Sequence, residues 1–237
     1  MNSMLDPTGP YTLEPPGSIL IVGAGLLGIE AGLYGRFLGY DIQIIEQDTI
    51  GSKLRARAEE ELPVMPNRCL SPLAVSALQA QSGSEVPPVP PLNFGQWIDQ
   101  MLVPITESDL LHGRVHTGVR VTKIQQIPAD PTSDDETSIE DDDLGDDDVP
   151  PDFRLIAQDA DATQLTFDAE AVILAVGGPP HSIQLEFTPP VAYFHSIGES
   201  NSDDWETDLR KGWQEITAVF AELGDRADLD LYRPRRL

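Results

Sequence analysis

The chain has 237 residues, of which 40% are hydrophobic, enough to build one substantial domain or two small ones. Forty acidic residues against fifteen lysines and arginines give a formal net charge of −25, which argues against electrostatic binding of nucleic acid or of an anionic membrane surface. Cys69 is the only cysteine, which excludes an internal disulfide, a CxxC redox pair and a cysteine-rich metal site.

The N-terminal segment, residues 1–17, contains four prolines and the acidic residues Asp6 and Glu14, and it is predicted to be a flexible arm. It lacks the basic start and apolar centre of a signal peptide, and no stretch of the chain reaches eighteen consecutive apolar residues. We therefore expect a cytoplasmic protein without a membrane segment.

The next segment, residues 18–28, reads SILIVGAGLLG. Its apolar run predicts a buried parallel strand that leads into Gly23-x-Gly25-x-x-Gly28. In a dinucleotide-binding βαβ unit the first glycine permits a tight turn, the second lets the backbone approach a pyrophosphate, and the third lets the helix pack closely on the strand. The helix N-terminus then faces the phosphates with free N–H groups and the positive end of its dipole.

The second strand of this unit, residues 40–46, ends in Glu46, eighteen residues after the last glycine. A carboxylate at this position is placed to accept hydrogen bonds from the adenosine ribose, and it repels the 2′-phosphate of NADP. The unit is therefore predicted to bind FAD or NAD rather than NADP. Further predicted cofactor contacts lie inside the glycine turn and directly after the acid: Ala24, Leu27 and Gln47.

Two helices are predicted in the middle of the chain. The first starts with Ser71 as N-cap and Pro72 at the first helical position and runs to residue 81. The second is capped by Asn93, and its apolar residues share one face. Three strand-like segments follow, at residues 114–127, 153–158 and 164–167.

An acidic run separates the first two of these strands. Ten acidic and no basic residues lie between Asp134 and Asp148, and without them the chain would carry a charge of −15. Because these carboxylates repel one another and offer little to bury, residues 130–151 are predicted to form a mobile, solvated insertion. A metal site on the aspartate triplets is the alternative, but their spacing lacks the EF-hand pattern.

The last third of the chain predicts two more strands and a helix. Residues 169–178, AEAVILAVGG, form an apolar run typical of a buried parallel strand. A final strand over residues 191–197 ends in Gly198-Glu199. Apolar residues spaced by threes and fours then predict a helix over residues 203–223, capped by Ser202 or Asp203.

This order of elements resembles the FAD-binding oxidoreductases of the glutathione-reductase and flavin-monooxygenase type. Four features carry the resemblance: the glycine motif with Glu46, a strand at residues 119–124 leading into a three-stranded meander, the apolar strand ending at Gly177, and the strand ending in Gly198-Glu199. The resemblance implies an α/β fold, a Rossmann-like FAD/NAD(P)-binding domain with a central parallel sheet, a β-meander crossover and a C-terminal helix. Such a domain would cover residues 18–225, followed by a tail over residues 226–237.

The resemblance also implies cofactor contacts. In these proteins a Gly-Asp pair ends the last strand, and its carboxylate holds the ribityl chain of FAD. Here that pair is Gly198-Glu199, so the longer glutamate would take the role. The backbone at Val121 would contact the adenine, and Gly177 would pass near the cofactor.

One part of the family pattern is missing. Family enzymes usually insert an NAD(P)H domain or a substrate domain between the strand ending at Gly177 and the strand ending at Gly198, but here only about fourteen residues lie there. A flavoprotein of this compact form would be reduced by a small-molecule substrate or by an electron-donor protein. The alternative is a non-catalytic NAD- or ADP-binding or partner subunit derived from the same fold. Neither a substrate nor an oligomeric state follows from the sequence.

Few side chains are candidates for chemistry. His195, beside the predicted flavin contact, is a candidate for proton transfer, the alternative being a strand-end histidine held by hydrogen bonds. Arg55 or Lys53 could neutralise phosphate charge, although a solvated basic pair that offsets residues 59–61 is the alternative. Cys69 is interpreted as a small buried hydrophobic residue, and no His, Asp and Glu cluster has the spacing of a metal site.

Overall fold

The computed structural model describes residues 12–82, 90–129, 150–178, 182–199 and 204–233. The strands found there are β1 (Ser18–Val22), β2 (Asp41–Ile45), β3 (Val115–His116), β4 (Arg120–Ile127), β5 (Asp152–Gln158), β6 (Gln164–Ala169), β7 (Ala171–Leu174), β8 (Gln184–Leu185) and β9 (Phe194–Ser196). The helices are α1 (Leu26–Leu38), α2 (Ser52–Arg55), α3 (Pro72–Ser82), α4 (Phe94–Trp97), α5 (Val103–Thr106) and α6 (Trp205–Leu223). A π-helical turn, Ile98–Leu102, joins α4 to α5, and a 3-10 turn, Pro66–Arg68, precedes α3.

A parallel sheet of five strands forms the centre of the domain, in the order β3-β2-β1-β7-β9. All four strand pairings are parallel, and β1 pairs with β2 on one side and with β7 on the other. Both faces of the sheet are covered, so β7 is buried throughout and β1 along four of its five residues. This explains why both strands read as continuous apolar runs rather than as alternating patterns.

Alternate residues of β1 belong to two separate cores. Ile19 and Ile21 face the helical layer, where they join buried residues of α1, α3 and α6. Leu20 and Val22 face the second sheet, where they join residues such as Ile124. The two cores follow from the period of two along a strand, because successive side chains point to opposite faces.

The second sheet has the strand order β6-β5-β4-β8. Its strands β4, β5 and β6 pair antiparallel in succession, which is the predicted meander, and β8 adds to β4 in parallel. The predicted single strand over residues 114–127 is wrong, because the structure divides it between the two sheets. Gly118 adopts a φ of +71° between β3 and β4, and this left-handed conformation breaks the strand where the chain crosses from one sheet to the other.

The predicted helix caps are mostly correct. Gly39 ends α1 with a φ of +99°, the Ser71 hydroxyl accepts a hydrogen bond from the Ala74 amide, and the Asn93 side chain accepts one from the Gln96 amide. The last helix differs, since Asp204 is its N-cap and accepts from the Glu206 amide. The last strand is also shorter than predicted, because Tyr193 has a φ of +61° directly before β9.

Residues 12–17, which the sequence assigns to the flexible arm, lie against the domain. The Leu13 side chain is buried, its amide donates to the Leu223 carbonyl, and its carbonyl accepts from the Tyr40 hydroxyl at 2.8 Å. In the predicted tail, Leu229 and Tyr232 pack against the helical core. Burial of these side chains therefore fixes the part of each terminal segment that adjoins the domain.

Three predicted features lie outside the described residues: most of the N-terminal arm, the acidic insertion from residue 130 to 149, and the end of the C-terminal tail. Among the helices that the structure describes, none combines the length and the apolar character needed to cross a membrane.

Candidate functional site

A cleft of about 1050 Å³ opens at the carboxyl ends of β1, β2 and β7. Strand β1 is the point where the chain order of the sheet reverses, since β2 lies on one side of it and β7 on the other. In open α/β sheets, ligands bind at such a switch point, outside the carboxyl ends of the strands. The fold therefore places the cleft where a nucleotide site is expected.

The three glycines of the turn have different roles. Gly23 has a φ of +109°, and a Cβ on it would lie 2.6 Å from the Ala175 carbonyl oxygen. A Cβ on Gly28 would lie 1.9 Å from the Gly23 carbonyl oxygen. Both positions need glycine for the fold itself, since one supplies the turn and the other the close packing of α1.

Gly25 has no such structural requirement. Its φ of −73° and ψ of 179° are open to any residue, and a Cβ there would meet no atom of the described residues within 4 Å, apart from its neighbours in the chain. It lines the cleft and is the N-cap residue of α1, where no side chain caps the helix and no acidic residue lies in the first turn. The open first-turn N–H groups and the helix dipole favour an anion at this position.

Glu46 lines the cleft beside this turn. One carboxylate oxygen accepts from the Ala24 amide at 2.7 Å, and the other accepts from the Asp48 amide at 3.0 Å. The side chain is buried to 6% exposure, and the two amides fix its orientation. Ala24 itself is buried outside the cleft lining, so its contribution to the site is this backbone N–H.

The two basic candidates after Gly51 have different surroundings. The Lys53 ammonium lies on the cleft and donates to the carbonyl oxygens of Val176 and, at 3.1 Å, Gly177. The Arg55 guanidinium is bound to the Asp99 carboxylate at 2.7 Å and to the Ile50 carbonyl at 3.2 Å. Neither Arg55 nor its partner Asp99 lines the cleft.

The remaining predicted cofactor contacts also divide into residues that line the cleft and one that does not. The structure brings several of them to the cleft wall: Leu27, Gln47, Val121, Gly177 and Gly198. Glu199, the expected ribityl contact, is exposed and lies outside the lining. The Gly198 amide next to it donates to Glu215 of α6 at 2.7 Å.

Glu215 is one of the lining residues that the sequence analysis missed, together with Asp208 and Trp205 on the same helix. No local motif marks Glu215, because its place depends on how α6 docks. That docking is close: a Cβ on Gly212 would lie 2.5 Å from the Leu27 side chain, and one on Gly198 would lie 2.9 Å from it. Leu27 therefore positions the middle of α6 against the end of β9.

His195 and Cys69 lie outside the cleft lining. His195 is on β9, where burial lowers its pKa and its Nε2 has no hydrogen-bond partner among the described residues. Cys69 is fully buried as predicted, and burial raises its pKa to about 11, so it is a neutral thiol near pH 7. Within the ranges that the structure describes, no group of three or more His, Cys, Asp or Glu residues could hold a metal ion.

No protein family model matches this sequence, and no curated protein matches it significantly. Among solved structures, THI4 of Thermovibrio ammonificans is similar to it with a TM-score of 0.52, over 87% of this chain and 90% of that chain, at 14% identity. Bacillithiol disulfide reductase from Bacillus cereus gives a TM-score of 0.47 over 88% and 56% of the two chains, at 12% identity.

A flavoprotein/dehydrogenase from Cytophaga hutchinsonii gives a TM-score of 0.43 over 68% of this chain, at 14% identity. The chain spans 39% of that protein and 26% of a steroid monooxygenase bound to NADP. At these identities the likeness shows the fold alone, and the parallel sheet with its meander agrees with it. The predicted fold class is therefore confirmed: the chain has a Rossmann-like α/β fold with a central parallel sheet, a β-meander and a C-terminal helix, similar to the fold of THI4.

Proposed function

We propose that the chain binds a dinucleotide in this cleft, with the ADP moiety between the glycine turn and Glu46, and that it is an FAD-dependent oxidoreductase. The observation that carries the proposal is the space at Gly25. Its backbone conformation does not require glycine, and neither does any atom in the part of the chain that the structure describes. A ligand that approaches the backbone closely gives a reason for the missing side chain.

The charges around the turn support an anionic ligand with ribose hydroxyls. The uncapped N-terminus of α1 and the Lys53 ammonium present positive charge toward a pyrophosphate. Glu46 presents a carboxylate held by the Ala24 and Asp48 amides, which suits two ribose hydroxyls and disfavours a 2′-phosphate. FAD or NAD fits this half of the cleft better than NADP.

When bound, FAD would supply the electron transfer, and the residues of the chain would hold and orient it. The segment from residue 178 to 191 is too short for a nicotinamide domain. The proposal therefore includes a reductant from outside the chain, either a small-molecule substrate or an electron-donor protein. It assigns no proton-transfer role to His195, since that ring lies outside the cleft.

A second candidate function, binding of NAD or ADP without catalysis, is favoured by the N-terminus of α6. The family resemblance implies that this helix end points toward the flavin ring. Here Asp204 caps it through the Glu206 amide, and the first turn also carries Asp208 and Glu206, the latter paired with Arg210. Such an end stabilises the negative charge of a reduced flavin less than an uncapped one.

The two candidates differ in ligand preference, which a binding experiment measures directly. The purified protein is examined for flavin absorption and then, after removal of any ligand, titrated separately with FAD, NAD, NADP and ADP. Yellow protein with the tightest binding for FAD supports the oxidoreductase. Tight ADP or NAD binding with no preference for FAD supports the second candidate. If the protein binds none of the four ligands, both candidates are contradicted.

A pair of variants tests the part played by Gly25. Gly25→Ala is expected to fold, with the free energy of unfolding changed by less than about 1 kcal/mol, and to bind ADP at least about tenfold more weakly. Gly28→Ala is the matched control, because its Cβ overlaps the Gly23 carbonyl oxygen, and it should lose about 3 kcal/mol of stability or more. Unchanged ADP affinity in Gly25→Ala would contradict the proposed site.

A further inference from the structure

A second carboxylate of the cleft lining comes from α6 and not from the end of the last strand. Glu199 is exposed and outside the lining. Glu215 lines the cleft, and its side chain retains 28% of its accessible surface. Its Oε2 accepts from the Gly198 amide at 2.7 Å, so the carboxylate lies directly against the end of β9.

One carboxylate oxygen of Glu215 thus accepts a hydrogen bond from the backbone, whereas the other accepts none from the described residues. Its Oε1 lies 3.8 Å from the Lys211 ammonium, too long for a hydrogen bond. The Gly198 contact fixes the rotamer of the side chain, and Leu27 fixes the helix through its contact with Gly212. The result is an oriented carboxylate in the cleft lining.

Resting on the proposed function, we propose that Glu215 is the residue that binds the hydroxyl groups of the second half of the dinucleotide, and that Glu199 has no part in binding. The ligand group is a polyhydroxyl segment joined to ADP: the ribityl chain if the ligand is FAD, or the second ribose if it is NAD. A carboxylate accepts hydrogen bonds from such hydroxyls, whereas it repels a phosphate. Glu215 therefore discriminates dinucleotides from ADP alone.

The test compares dinucleotide and ADP affinities in four variants of the full chain: Glu215→Ala, Glu215→Gln, Glu222→Gln and Glu199→Gln. Glu215→Ala is expected to bind FAD and NAD about tenfold or more weakly than wild type, with ADP affinity unchanged. Glu215→Gln keeps an acceptor for the Gly198 amide, so it holds the loop and should show a smaller loss, again confined to the dinucleotides. Glu222→Gln, the same change on an exposed residue of α6, is the control. The FAD and NAD arms identify which polyhydroxyl segment is recognised.

Other outcomes would overturn the inference. Equal losses for ADP and dinucleotides would mean that Glu215 only supports the fold, and tighter binding of all ligands would mean that it only repels phosphate. A selective dinucleotide loss in Glu199→Gln instead would restore the assignment implied by the family resemblance. If wild type binds none of these ligands, the proposed function itself fails and the inference with it, whereas intact ADP binding with unaltered dinucleotide affinity in Glu215→Ala refutes the inference alone.

Discussion

At the scale of single residues, the surroundings of a charge decide whether it can serve a ligand. Lys53 and Arg55 are two positions apart, yet only the lysine lies on the cleft. The guanidinium of Arg55 is paired with Asp99, which lies 44 residues further along the chain in the π-helical turn after α4. The lysine instead donates to the Val176 and Gly177 carbonyls, which form part of the cleft wall.

This difference gives a prediction for the two basic residues. Lys53→Met is expected to weaken ADP binding about tenfold and to reduce its dependence on salt, because a charged partner of the pyrophosphate is lost. Arg55→Met, the matched control, should leave ADP affinity within about twofold of wild type, since the Arg55 guanidinium is already paired with the Asp99 carboxylate. Titration of both variants at low and at high salt makes the comparison. Equal losses in the two variants would remove Lys53 from the site.

At the scale of elements, helix α1 is held by a buried carboxylate that lies outside the cleft lining. Glu30 is 1% exposed, and its two oxygens accept from the Ser71 amide at 2.9 Å and from the Ser71 hydroxyl at 2.6 Å. Ser71 also caps α3 through the Ala74 amide. One turn along α1, the Tyr34 hydroxyl accepts from the Leu231 amide, which joins the C-terminal segment to the same helix. The orientation of α1, and so of the glycine turn, depends on these contacts.

The same carboxylate predicts how stability depends on pH. Burial raises the pKa of Glu30 from 4.5 to about 7, against the opposing hydrogen bonds from Ser71. Between these two values the folded protein keeps the proton while the unfolded chain releases it, so this group makes the free energy of unfolding fall as pH rises. Between the unfolded and the folded pKa, this group lowers the free energy of unfolding by about 3 kcal/mol in total. Above the folded pKa the free energy of unfolding no longer falls on its account.

Glu30→Gln should therefore abolish that part of the pH dependence. Urea unfolding at pH 5 and pH 7.5 is expected to show the variant gaining stability relative to wild type at the higher pH. Glu59→Gln, which removes an exposed carboxylate, is the control and should follow wild type at both pH values. A constant difference between Glu30→Gln and wild type would show that Glu30 does not titrate in this range.

At the scale of the whole molecule, the sequence predicts what is local and misses what depends on docking. The glycine turn, Glu46 and the buried strands follow from short-range patterns, so the fold class and the part of the cleft wall around the glycine turn were predictable. The break at Gly118 was not, because an apolar alternation continues across it and only the second sheet shows which residues change partner. Glu215 was not predictable either, since tertiary contacts of α6 bring it to the cleft.

The acidic insertion bears on the whole molecule because it carries much of the net charge. Its flanking strands are paired up to Ile127 and Asp152, so the two chain ends that it joins are already neighbours. Replacing residues 130–149 by a Gly/Ser turn of about four residues should keep the fold and stabilise it by about 1 kcal/mol, because closing a shorter loop costs less entropy.

The same replacement predicts the effect of that charge on the ligand. ADP affinity at high salt should equal that of wild type, and at low salt it should be equal or higher, because ten carboxylates that repel an anion are gone. Thermal unfolding together with ADP titration at two salt concentrations measures both effects. A second variant that replaces the ten acids by their amides keeps the loop length and separates charge from entropy. Loss of ADP binding at high salt in the shortened protein would show instead that the insertion contributes to the site.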